Sequence, residues 1–237
     1  MLRLIYTDPR FYLINKSPGI GFHREADAPG LMDRLREQLQ DERIWPVHRL
    51  DRVTSGLLLV ARSAEAAAEL GARFASGQVE KYYLALSERK PAKKQGLIKG
   101  DMAKGRGGAW KLLQSQANPA VTQFFTFSVT PGLRLFVLRP RTGKTHQLRV
   151  AMKSLSAPIL GDALYGGSAA DRTYLHAAQL KFQLGDAAFN FFCPPDQGEQ
   201  FCSAAFAAAL AQAGDVSALP WPQWNGRPAS DWPAAAD

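Results

Sequence analysis

The stretch His48-Arg49-Leu50-Asp51-Arg52-Val53-Thr54-Ser55-Gly56 runs directly into Leu57-Leu58-Leu59-Val60-Ala61. An unbroken aliphatic run bounded by Gly56 and Arg62, entered through the turn-rich Thr54-Ser55-Gly56, is the pattern of a buried strand. The loop before it holds a carboxylate among cations. Arg49 and Arg52 flank Asp51 and His48 sits three residues before it, so the nearby positive charge is expected to favour the ionised form of Asp51. An acid on a loop at the mouth of a rigid strand is placed to meet a substrate. A surface ion pair before an ordinary strand is the competing reading, and the rest of the chain has to decide between them.

With 237 residues and 46% hydrophobic content, the chain can bury a core as one large domain or as two intimately packed halves. The first ten residues contain an acid and a proline, and the longest apolar runs, 57–61 and 204–211, are too short to span a bilayer. A soluble, cytoplasmic protein with no membrane partner is therefore expected. Cys193 and Cys202 offer neither metal-ligand spacing nor a disulfide framework, and both are expected as buried thiols.

The net charge of +8 is unevenly spread, because residues 81–111 carry 9 basic and 2 acidic side chains. No Asp or Glu occurs between Asp101 and Asp162, an interval that holds Lys104, Arg106, Lys111, Arg134, Arg139, Arg141, Lys144, Arg149 and Lys153. Such a gap implies a surface facing a polyanion, with a solvated basic face as the alternative.

Taken in order, the chain alternates short strands with helices. Leu2–Tyr6 and Phe11–Lys16 read as a hairpin around Thr7-Asp8-Pro9-Arg10, and Leu31, Leu35 and Leu39 mark an amphipathic helix ending near Asp41. Ser63 is placed to cap a helix over 64–75, and Glu80–Leu86 has the composition of a strand. Successive strand side chains face opposite sides, so one of Tyr82 and Tyr83 is expected in the core and the other in a cleft. The Lys- and Gly-rich segment 89–111 reads as a mobile hairpin or loop that moulds to a phosphate backbone. Val121–Thr130 and Leu133–Leu138 should pair around Thr130-Pro131-Gly132, and a helix from Thr145 would bear Leu148, Met152 and Leu155 on one face and Arg149 on its flank. Gly143-Lys144-Thr145 resembles a nucleotide-cradling loop only in those letters, since the upstream glycine is missing. After a loop at 158–167, Tyr174–Leu184 and Ala187–Cys193 read as a last strand pair, 199–212 as a closing helix, and 214–237 as a loosely packed tail rich in Pro, Trp and Ala. The fold class expected is α+β (mixed α/β) with a largely antiparallel sheet.

Four separated motifs carry a resemblance. They are His48-Arg49-Leu50-Asp51 with Thr54-Ser55-Gly56, Lys81-x-Tyr83-x-Ala85, Thr142-Gly143-Lys144-Thr145-His146-Gln147-Leu148-Arg149, and Arg172-x-x-Leu175-His176-Ala177. In order and spacing the chain resembles the RluA-type RNA pseudouridine synthases, from about residue 4 to residue 210.

The resemblance implies a mixed sheet bent around a long cleft in two halves, no cofactor and no metal. It implies an isomerase that breaks the N1–C1′ bond of chosen uridines in rRNA or tRNA, turns the uracil and rejoins it through C5. Asp51 matches the essential carboxylate, Tyr83 the tyrosine that stacks on uracil and takes part in proton removal, and Arg149 the arginine that pairs with Asp51. Arg49, Lys81 and Lys144 are the candidate RNA-binding residues. A monomer is expected, with residues 1–213 as catalytic domain and without the separate small RNA-binding domain that begins many relatives. Lys144 stands where many relatives have arginine, and Ala151 and Ser156-Ala157 also depart from the pattern; a lysine can hold a phosphate as a point charge but not as a fork.

The residue chemistry points the same way. Breaking a glycosidic C–N bond without water needs a carboxylate near C1′, as nucleophile or as base for the 2′ proton. The first rival is an RNA-binding protein on a synthase fold without catalysis. The second is a glycoside-bond hydrolase, which would require another acid, for which Asp162 is the candidate near a motif.

Overall fold

The computed structural model describes residues 2–24 and 28–224. It opens with the expected hairpin, β1 (Leu2–Thr7) and β2 (Phe11–Lys16), whose turn is closed by Asp8: its N–H donates to Phe11 O at 2.9 Å and its carboxylate accepts from Arg10. Helix α1 (Leu31–Leu39) follows, with the Asp33 carboxylate accepting from Gly30 N–H at its start, and then β3 (Trp45–Pro46), β4 (Ser55–Ala61) and α2 (Ala64–Ala75). Ser63 caps α2 as its position predicts, accepting from Ala66 N–H at 3.1 Å.

From Leu57 to Ala61 strand β4 is apolar because both its faces are covered. Leu57, Leu59 and Ala61 join Phe11, Leu13 and Leu70 of α2 on one side, while Leu58 and Val60 join Ile14, Leu31 and Leu35 of α1 on the other. Leu57, Leu58 and Leu59 are at most 1% exposed, and each such side chain stabilises the fold by about 2 kcal/mol through burial.

The second half contains β5 (Glu80–Ser87), β6 (Gln95–Gly100), the ribbon β7 (Met102–Lys104) and β8 (Trp110–Leu112), β9 (Ala120–Thr130), β10 (Leu133–Pro140), α3 (Gln147–Ser154), β11 (Leu175–Leu184), β12 (Ala187–Phe192) and α4 (Ala204–Ala213). The main sheet runs β1-β2-β4-β11-β5-β10-β9-β6, with β3 added to β4 and β12 to β11. All pairs are antiparallel except β4 with β11, which meet over only two residue pairs, His176 with Ser55 and Ala177 with Gly56. That short parallel seam joins the halves. Leu84, Leu86, Phe136 and Leu138 pack with Leu148 and Met152 of α3 and with Phe206 and Ala209 of α4 in the largest core.

Three expectations need correction. Residues 89–111 hold more than the expected hairpin or loop, since β7 and β8 form a hairpin but β6 extends the main sheet beside β9. The first part of the 214–237 tail is docked, because Trp221 packs edge-on against Phe125 at 5.0 Å and its Nε1–H donates to Val216 O; the part from residue 225 onward lies outside the described residues. Cys193 is a buried free thiol as expected, whereas Cys202 is free but exposed, at the start of the turn before α4. Among the described residues no helix is long and apolar enough to cross a membrane.

Candidate active site

Strand β4 has an edge opposite β2 that two strands share. β11 takes its first residues, Ser55 and Gly56, and β3 takes its last, Val60 and Ala61. The 47–54 loop spans the interval between them, and His48 fills it: its Nε2 accepts the Leu59 N–H at 3.0 Å and its ring stacks on Phe74 at 4.3 Å. Only a neutral imidazole can accept there, consistent with burial pushing the His48 pKa down to about 3.

The loop carrying Asp51 is tied from below. Lys16 is fully buried and donates to the carbonyls of Ser17, Ile20 and Arg52 at 3.1, 3.2 and 3.3 Å, while Gly19 N–H donates to Arg52 O at 2.7 Å. All three ammonium protons are used. Burial pushes the Lys16 pKa down to about 7, and the negative charge of Asp51 acts in the opposite sense.

Arg149 projects from the first turns of α3 and is almost wholly buried. Its Nε and Nη2 grip Asp162 as a fork at 2.7 and 2.8 Å, and the Tyr165 ring lies 4.8 Å over its guanidinium carbon. Nη1 is left facing Asp51 Oδ2 at 3.6 Å. The pairing of Arg149 with Asp51 is thus present but looser than the one with Asp162. Asp162 reaches this position because Gly161 has φ +76 and backs onto Arg172, whose carbonyl would lie 1.8 Å from any Cβ there.

The strand register sets the tyrosines. Gly56, Ala177, Tyr83, Leu138 and Phe124 form one row across β4, β11, β5, β10 and β9. Tyr83 faces the cleft beside Asp51; burial first and that carboxylate second push its phenol pKa up, keeping the hydroxyl protonated. Tyr82 points the other way, fully buried, with its hydroxyl donating to Glu80 at 2.6 Å and its ring near Trp221. The cleft has a volume of about 620 Å³, and all six sequence-selected residues, Arg49, Asp51, Lys81, Tyr83, Lys144 and Arg149, line it. Arg49 donates to Thr145 Oγ1 at 3.0 Å and Lys144 to Asn118 Oδ1 at 2.7 Å.

Sequence reasoning did not select Lys16 or Tyr165, named Asp162 only as the acid a hydrolase would need and not as the partner of Arg149, and quoted Ser55, Arg172 and His176 within motifs without giving them a role. Behind the seam Arg172 donates to Ser55 Oγ at 2.7 Å, Ser55 Oγ meets His176 Nδ1 at 2.8 Å, and His176 Nε2 meets Cys193 O at 2.9 Å. Burial pushes the His176 pKa down to about 4. The available signal for Asp162 was its place as the first acid after the carboxylate-free interval. Among the described residues no group of three or more His, Cys, Asp and Glu side chains is arranged to hold a metal ion.

A model of the RNA pseudouridylate synthase family matches residues 10–154. The chain is 53% identical to an uncharacterised RNA pseudouridine synthase of Haemophilus influenzae over 84% of its own length and 89% of the relative's. It is 32% identical to tRNA pseudouridine synthase C of Haemophilus ducreyi, with 76% and 85% covered. The solved structure of human RNA pseudouridylate synthase domain containing 1 superposes with a TM-score of 0.72 at 25% identity, covering 94% of this chain and 97% of that one. The matched region holds Asp51, Tyr83 and Arg149 and the solved fold spans both halves of the sheet, so the chain belongs to the RNA pseudouridylate synthase family.

Proposed function

We propose that this protein isomerises selected uridines of tRNA or rRNA to pseudouridine, with Asp51 as the essential carboxylate. The observation that carries this reading is the convergence of Asp51, Tyr83 and Arg149, from a loop, a strand and a helix, on one cavity. In the reaction the N1–C1′ bond breaks, the uracil turns, C5 bonds to C1′, the C5 proton leaves and N1 gains one. Asp51 supplies the carboxylate at C1′ or at the 2′ proton, steadied by the Arg149 Nη1 that Asp162 leaves free. Tyr83 supplies a ring for the uracil and an oxygen near C5. Extruding the base costs a few kcal/mol, which one stacking contact of about 1–3 kcal/mol and phosphate contacts offset.

Asp51→Asn and Asp51→Ala should fold and bind RNA yet release no tritium from RNA carrying 5-tritiated uridine. A measurable rate in either variant would overturn the role given to Asp51. Normal binding together with no release by the wild type on tRNA and rRNA transcripts would favour an RNA-binding protein without catalysis. A hydrolase is disfavoured by the fate of its second acid, since Asp162 is 1% exposed and both its oxygens are taken by Arg149.

A further inference from the structure

His146 precedes α3 in a conformation uncommon for a residue with a Cβ, at φ +56 and ψ +14. It lines the cleft between Thr145 and Gln147, and the charges that act on it are those of Asp51, Arg149, Asp162 and Arg49. Burial is the largest influence on its pKa and lowers it, while Asp51 and Asp162 act in the opposite sense. The ring is therefore neutral at pH 7, with one nitrogen bare and the other carrying a proton.

The hydrogen bonds of Tyr165 decide which nitrogen is which. Its buried hydroxyl accepts the Trp110 N–H at 2.9 Å and lies 2.8 Å from His146 Nδ1. A phenol has one proton to give, and among the described residues Nδ1 is the acceptor in reach of it. Were Nδ1 itself protonated, that buried phenol proton would have no partner. Tyr165 thus donates to Nδ1, and the imidazole proton is on Nε2. The Tyr165 ring lies over the Arg149 guanidinium and meets the imidazole edge-on at 5.7 Å, so the orientation of His146 is held by its ring contact as well as by its bond.

Tyr165 is outside the lining of the cleft and His146 is part of it, so the Nε2–H, which points away from Tyr165, is directed into the cleft. Among the described residues no hydrogen bond engages Nε2. A phosphate is better served by charged donors such as Arg49 and Lys144, whereas a neutral N–H beside a carboxylate suits a carbonyl oxygen. Uracil presents two. When the N1–C1′ bond breaks, the ring leaves with the electron pair, which spreads onto those oxygens, and a donor already in place binds the anion better than the neutral base.

Resting on the reading that Asp51 and Tyr83 handle a target uridine, we infer that His146 is a further catalytic residue, whose Nε2–H donates to a uracil carbonyl oxygen and holds the detached, negatively charged ring while it turns. Tyr165 is the positioning residue that fixes the tautomer. The proton stays on Nε2 throughout, so the balance of the isomerisation is unchanged.

The test has a spectroscopic arm and a kinetic arm. Nitrogen-15 NMR should show His146 protonated at Nε2 and bare at Nδ1. Its Nε2 signal should shift when a twelve-nucleotide oligouridylate is added, and shift less with an abasic ribose-phosphate oligomer of the same length. An Nδ1-protonated ring, or equal shifts with the two oligomers, would overturn the inference. In tritium release, His146→Phe and His146→Asn should lower kcat about a hundredfold with KM within about threefold, and His146→Gln, whose amide can reach the place of Nε2, should recover about tenfold. Asn suits the positive φ and carries this arm if the Phe variant melts early. Tyr165→Phe should populate the second tautomer and lower kcat about tenfold; a wild-type tautomer and rate there would remove Tyr165 from its role. On RNA whose 5-tritiated uridines bear sulfur at position 2 or position 4, wild type should slow at the carbonyl that accepts the bond and His146→Phe should not. A folded Phe or Asn variant with kcat within about twofold of wild type, or equal sulfur effects in wild type and variant, would overturn the role of His146. An inactive wild type would refute the isomerase reading, while the NMR shifts still decide whether the imidazole donates to a base.

Discussion

Tyr82 and Tyr83 are neighbours in sequence with opposite surroundings, which makes them a controlled pair. Tyr83→Phe should slow tritium release while leaving urea unfolding unchanged. Tyr82→Phe should keep its rate and lose about 1 kcal/mol of stability, since it deletes the buried bond to Glu80. Equal loss of activity in both would mean that the wrong ring has been assigned. Asp162 offers a second contrast. Asp162→Ala strands a buried guanidinium and should cost about 3–5 kcal/mol in urea unfolding, whereas joint replacement of Arg149 by Met and Asp162 by Leu should recover most of the stability and none of the activity. At this scale the sequence was legible where a residue carries its chemistry in a local motif, as Asp51, Tyr83 and Arg149 do. Lys16 carries no such sign, because a fully buried lysine looks like a surface one until three carbonyls close around it. Asp162 becomes a partner of Arg149 only through the turn at Gly161.

At the scale of elements, strands and helices with dense periodicity were readable: β2, β4, α2, β9 and β10 fall within a residue or two of their sequence-derived limits. β6 was not, because an edge strand needs few apolar positions. Of Gln95-Gly96-Leu97-Ile98-Lys99-Gly100, Ile98 is the apolar side chain that is buried, and two glycines lower the strand propensity. The docked 214–224 segment was equally hidden, since Pro and Trp mark a tail until Phe125 and Tyr82 offer the indole a surface. The seam between β4 and β11 depends on one residue. Gly56 has φ +112, and a Cβ there would sit 2.2 Å from Ala177 O and 2.6 Å from its N. Gly56→Ala should therefore destabilise the protein by about 3 kcal/mol or more and lower the melting temperature, with activity falling as the row from Gly56 to Tyr83 is pushed apart. A melting temperature within a degree of wild type would show that the seam yields freely.

For the molecule as a whole, two neutral histidines, the half-buried His48 and the buried His176, set the response to acid. Unfolded imidazoles bind protons below about pH 6.5, whereas His48 and His176 do so only near 3 and 4 when folded. Between those limits the unfolded state holds more protons, so the contribution of these histidines to stability is complete above pH 6.5 and is lost as pH falls, by up to about 1.4 kcal/mol per pH unit for each. Urea midpoints should drop from pH 7.5 to 5, before the carboxylates titrate, and His48→Gln should make the decline shallower. Equal midpoints at pH 7.5 and 5 would contradict this.

The two-pair seam has a further consequence for how the chain is made. Ser55 must wait for His176, about 120 residues later, before the cleft has a second wall. At about 5–20 residues per second this is roughly ten seconds of synthesis on a ribosome. During that interval the emerged portion presents Asp51 without β11, the strand that pairs with both Gly56 and Tyr83. A nascent chain stalled short of residue 176 should thus be catalytically silent, and activity should switch on as a step, not a ramp, as translation passes β11.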